Sequence, residues 1–125
     1  MNNKIRLIHN SYFDEDIDDY KIVKVIIDIF DGKRIVNYQY ITEDDYEIKE
    51  KKVEEKIDDS IIDEIIKMDL SSLQKKYITG IELESWEIEI NNKKIIGTYD
   101  KLPKELFVIM KKLGFFDIVN GGIDV

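Results

Sequence analysis

Cysteine and alanine are both missing from this 125-residue chain, and histidine, proline and tryptophan each occur once. Without cysteine there are no disulfides, no thiolate metal ligands and no cysteine nucleophile. A serine–histidine–acid site would have to use His9, and although Ser11 is close, nothing nearby resembles a nucleophile elbow. A histidine near a strand end is expected at the surface or at a sheet edge. No Walker, Rossmann or zinc pattern occurs, and Gly121-Gly122 lacks the helix that a phosphate loop needs. No apolar run approaches ~18 residues, and no apolar signal core follows Met1–Arg6, so a cytoplasmic protein off the membrane is expected. With no proline-rich or glycine/serine-rich linker, residues 1–125 read as a single domain.

Isoleucine, lysine and asparagine are abundant instead, as AT-rich coding produces, which suggests a low-GC bacterium or one of its mobile elements as the source. Hydrophobic residues make up 43% and charged residues 37%. The first figure is enough for a core at this length, and the second lies well above the usual ~25%. Net charge is −8. Residues 1–90 carry 23 acids against 13 bases, and residues 91–125 carry 4 against 6. A chain this acidic repels nucleic-acid backbones and anionic membranes and attracts basic partners.

The pattern predicts an α+β fold, an antiparallel sheet of two β-hairpins (about 20–41 and 86–99) with helices (about 59–68 and 103–113) on one face. Asp31-Gly32 suits a type I′ turn, and that register pairs Ile27 with Val36, Val25 with Tyr38 and Val23 with Tyr40, all on one face. Asn91-Asn92 suits the second turn, with Trp86, Ile88, Ile90, Ile95, Gly97 and Tyr99 on one side and Glu87 and Glu89 on the other. Ile61, Ile62, Ile65 and Ile66 recur at helical spacing after Asp58, which as the N-cap would place Ile57 to staple against Ile62. Pro103 opens the last helix, Lys111-Lys112 lie in its final turn, and Gly114 follows as its cap. Asn10–Asp19 and Thr42–Lys56 read as charged connectors.

Asp14, Asp16 and Asp18 have the spacing of the first EF-hand ligands, but the sixth position is Asp19 and the twelfth Val25, so no calcium loop is expected. Glu87 and Glu89 on one strand face beside Lys94 read as a solvated face rather than an acid–base pair. The late lysines, 93, 94, 101, 104, 111 and 112, lack the breadth of a nucleic-acid footprint. Two segments stand apart. Ser11–Tyr20 combines five acids and three aromatics with no base, and Thr42–Glu47 repeats the mixture around Tyr46. Aromatics concentrate interface energy, and acids around them steer a cationic partner. The expected contact set is Tyr12, Asp14, Asp16, Asp18, Asp19, Glu43, Asp44, Asp45 and Tyr46.

The run Glu84-Ser85-Trp86-Glu87-Ile88-Glu89-Ile90, then Lys94-Ile95-Ile96-Gly97, then Leu102-Pro103-Lys104-Glu105-Leu106-Phe107 resembles the C-terminal part of small bacterial proteins. In these a tryptophan strand, a turn, a glycine and a proline-started helix follow in order, and some resemble immunity proteins that silence a toxin. Tyr99-Asp100-Lys101-Leu102 replaces the small polar run before the proline, and no functional residue carries over. The leading expectation is a non-enzymatic inhibitor, without cofactor or metal, of a basic toxin or nuclease, present as a monomer or weak homodimer. A self-associating scaffold pairing through its hairpin edges, above all the Trp86 strand, is the alternative. A small carboxylate-and-tyrosine enzyme or ligand sensor is the third.

Overall fold

The computed structural model describes residues 3–10, 20–42, 47–58, 60–70, 85–98 and 104–116. Among them, six strands form one antiparallel sheet: β1 (Lys4–Asn10), β2 (Tyr20–Phe30), β3 (Lys33–Thr42), β4 (Lys49–Lys56), β5 (Ser85–Ile90) and β6 (Lys93–Thr98). Their order is β4-β3-β2-β1-β5-β6. Two helices, α1 (Ser60–Ile66) and α2 (Lys104–Lys112), pack on one face.

Both hairpins form around the expected turns. Asp31 and Gly32 have φ of 50° and 71°, and Asn91 and Asn92 have 48° and 74°, the paired left-handed residues of a type I′ turn. Ile27 pairs with Val36, Val25 with Tyr38, Trp86 with Gly97, and Ile88 with Ile95, as the alternation requires. One pairing differs. The register shifts between Ile22 and Lys24, so Tyr40 meets Ile22 and not Val23. A bulge uses Val23 as the extra residue and returns Ile22 to the core side. Tyr99 lies outside the described residues.

The expected sheet of two hairpins gains two strands. β1 lies between them, pairing with β2 on one side and β5 on the other, so the hairpins join through a strand that precedes both. The second half of the supposed connector Thr42–Lys56 is β4, an edge strand in which seven of eight residues are Lys or Glu. Charge hides such a strand from an apolar-alternation search, and the same charge discourages unwanted pairing along its free side.

One sheet face carries the core. Ile5 and Leu7 of β1, Val25, Ile27 and Ile29 of β2, Val36 and Tyr38 of β3, and Trp86 and Ile88 of β5 are buried with Ile62, Ile65, Leu106, Ile109, Met110 and Leu113. Asp58 caps α1, its Oδ1 accepting from the Ser60 amide at 2.9 Å, and Ile57 packs on the core beside it. Lys112 Nζ meets Glu64 at 3.1 Å and ties the helices together. Phe115 is buried and Phe116 packs against the core, so the chain after α2 folds back onto the body. No described helix is long and apolar enough to cross a membrane.

Gly114 ends α2 with φ 78° and its amide bonded to the Lys111 carbonyl at 3.1 Å. Arg34 reaches across from β3, donating from Nη1 to the Leu113 carbonyl at 3.0 Å and from Nη2 to Glu55 at 2.8 Å. A Cβ on residue 114 would run into Arg34 Nη1. Gly114→Ala therefore meets backbone strain and also dislodges the guanidinium that satisfies a helix-end carbonyl. We expect a loss of about 2–4 kcal/mol of unfolding free energy in urea melts. A loss under about 0.5 kcal/mol would show that neither effect operates.

Candidate interaction surface

Antiparallel pairing fixes where each connection leaves the sheet. β1 ends at Asn10 and β2 begins at Tyr20; β3 ends at Thr42 and β4 begins at Lys49. Tyr20 lies directly opposite Thr42, Tyr40 opposite Lys49, and Asn10 opposite Lys24. Both acidic segments therefore attach at one end of the sheet. Asp19 and Glu43 each adjoin a member of the Tyr20–Thr42 pair. The nine expected contact residues, Tyr12, Asp14, Asp16, Asp18, Asp19, Glu43, Asp44, Asp45 and Tyr46, lie outside the described residues. What the sheet fixes is the shared end from which they depart.

Ile48, which no sequence pattern singled out, stands at that end. It is 64% exposed, more than the other large hydrophobics exposed among the described residues, Ile66 and Phe107. A β-branched side chain in water directly after Glu47 has no folding role among the described contacts. Its only sequence signal was position, one apolar residue between Glu47 and the charged strand.

The opposite end carries more bases than acids among the described residues, Lys4, Lys33, Lys56 and Lys93 against Asp31 and Asp58. Lys4, Phe30, Lys33 and Lys56 form one cross-strand row, with Lys33 directly facing Lys56 and the Lys4 ammonium 5.2 Å from the Phe30 ring centroid. Strands of this length separate the two ends by roughly 30 Å. The fold thus places lysines at one pole and the departure points of both acidic segments at the other.

The sheet face away from the helices is largely self-neutralised. Arg6 makes a bidentate pair with Asp28, Nε to Oδ1 at 2.6 Å and Nη2 to Oδ2 at 3.2 Å. That hydrogen bond raises the guanidinium pKa against a smaller opposing effect of burial, and Asp28, Glu89 and Glu87 add Coulombic support. Glu87 also pairs with Lys94 at 3.2 Å. These glutamates balance cations on neighbouring strands, consistent with a solvated, charge-paired face.

His9 is not the surface or edge residue expected. It is 7% exposed in a strand paired on both sides. Its ring stacks on Trp86 at 4.0 Å and 23°, and Phe115 meets it edge-on at 5.2 Å. The central position of β1, invisible while that strand was unrecognised, accounts for the burial. Nor is the Trp86 strand a free edge: β5 pairs with β1 and β6, so edge-to-edge association through it is closed. No protein-family model matches the chain, and comparison with curated proteins and with solved structures likewise gave no match.

Proposed function

We propose that this chain is a non-enzymatic binding protein of the cytoplasm whose acidic pole occupies a cationic surface on a basic protein and inhibits it. An immunity protein against a toxin and an antagonist of a nuclease are the two forms that fit. The observation carrying this reading is the Tyr20–Thr42 pairing, which makes two acidic, tyrosine-bearing segments leave the sheet side by side. Together, residues 11–19 and 43–47 hold nine carboxylates and no base. Clustered negative charge raises the rate of encounter with a cationic cleft, and lysines at the far pole bias the molecule to approach acid-first. Tyr12, Tyr46 and Ile48 would then supply apolar contact, with Asp14, Asp16, Asp18, Asp19, Glu43, Asp44 and Asp45 around them.

The test is affinity capture from the native host at low and high salt, using the wild-type chain and a variant with Asp14, Glu15, Asp16, Asp18 and Asp19 changed to their amides. The expected result is a basic protein retained by the wild type at low salt, released at high salt, and inhibited only by the wild type. Equal inhibition by the neutralised variant would overturn the proposal.

A further inference from the structure

The two edges of the sheet are built differently. β4 is charged at seven of its eight positions, whereas β6 carries Lys93 and Lys94 at its turn end and continues as Ile95-Ile96-Gly97-Thr98 without charge. Among the described residues β6 pairs with β5 alone. Across a two-residue turn, the flanking residues Ile90 and Lys93 form the first hydrogen-bonded pair, and bonded pairs then alternate along the ladder. Lys93, Ile95 and Gly97 therefore bond to β5. The backbone N–H and C=O groups of Lys94, Ile96 and Thr98 point away from it, toward the side on which no described strand lies.

A cleft of about 340 Å³ lies beside the turn end of this edge, on the helix side of the sheet. The end of α1 and the chain after it supply Ile66, Met68, Asp69 and Leu70; the hairpin supplies Ile90, Lys93 and Ile95. Ile66 is 39% exposed, an apolar surface that folding has left in water. Lys94 is engaged by Glu87, but Lys93 forms no ion pair among the described residues. Among the described residues, an edge whose outward backbone groups face no strand, a cleft lined by Ile66, Met68, Leu70, Ile90 and Ile95 together with Asp69, and a cation thus occupy one place. Strand addition uses that combination: main-chain hydrogen bonds supply affinity and a side pocket supplies selectivity.

We propose that β6 accepts an extended peptide segment of another protein as a seventh strand, with a large apolar side chain in the cleft and a carboxylate two residues along, on the same face, against Lys93. Period-2 alternation sets that spacing. Charge selects this occupant over a second copy of the chain, because β6 itself carries no carboxylate to set against the exposed Lys93. The site is distinct from the acidic pole and does not depend on it.

The probe is the capped peptide acetyl-Thr-Val-Thr-Ile-Thr-Asp-Thr-amide, titrated into the isotope-labelled full chain and followed by amide NMR and hydrogen exchange. Saturable shifts should centre on β6, with new protection at the Lys94 and Ile96 amides. Replacing the aspartate of the peptide by lysine should weaken binding at least about fivefold. Ile96→Pro removes one outward donor and leaves the β5 ladder intact, so it should abolish the protection. Ile66→Glu, at an already exposed position, should weaken binding while the fold persists. Shifts that do not saturate, that map to β4, or that ignore the peptide's charge would overturn the proposal. So would concentration-dependent dimerisation abolished by Ile96→Pro, which would assign the edge to a second copy. Neutralising residues 14–19 should leave peptide binding unchanged, which separates this site from the acidic pole.

Discussion

Leu7→Ala should lower the unfolding free energy by about 3–5 kcal/mol. Leu7 is 1% exposed in β1 and lies opposite Ile27 on one side and Ile88 on the other. No short collapse can fill its space, because both neighbours belong to paired strands and the helices pack above. Among the described strands β1 alone joins the two hairpins, so weakening it loosens the sheet at its centre. For a domain whose whole stability is about 5–15 kcal/mol, a large fraction would be lost. Urea denaturation measures it, and a change under about 1 kcal/mol would deny β1 its central place. Ile48→Ala, at an exposed position, should move the same midpoint very little.

Amide replacement of Asp14, Glu15, Asp16, Asp18 and Asp19 should slow association with the basic partner about 10- to 1000-fold and leave dissociation much less affected. Tyr12→Ala and Tyr46→Ala should behave in the reverse sense, speeding dissociation, with costs of about 2 kcal/mol or more each. Single acid-to-amide changes should each cost less than either tyrosine. Stopped-flow or surface kinetics separates the two effects. Tyrosine variants that bind as tightly as the wild type would remove the proposed anchors.

Legibility in the sequence followed the physics of each element. Asp31-Gly32 and Asn91-Asn92 need left-handed backbone, and few residues accept it, so both hairpins could be read directly. Asp58, Lys111-Lys112 and Gly114 mark helix ends through unsatisfied backbone groups, and α1 and α2 were legible from them. β4 was not, because a strand on the sheet edge need not alternate, and Lys49–Lys56 reads like a solvated connector. β1 has buried alternation at Ile5, Leu7 and His9. A strand of seven residues gives little local sign of pairing on both sides.

The bulge at Val23 also escaped, since Val-Lys-Val alternates as cleanly in the straight register as in the shifted one. Of the candidate surface, composition named the acidic tyrosine segments, but only the register of β2 with β3 explains why both depart from one end. Ile48 and the Lys33–Lys56 row needed β4, and could not be found without it.

The most direct measurement of the central claim is the association rate constant with the captured partner between about 50 and 500 mM salt, near-complete screening being reached at the upper end. A cationic surface met by the acidic pole predicts a steep fall for the wild-type chain and a nearly flat line for the amide variant, the two converging at high salt. Parallel lines of equal slope would mean that carboxylates elsewhere, or none at all, guide the encounter.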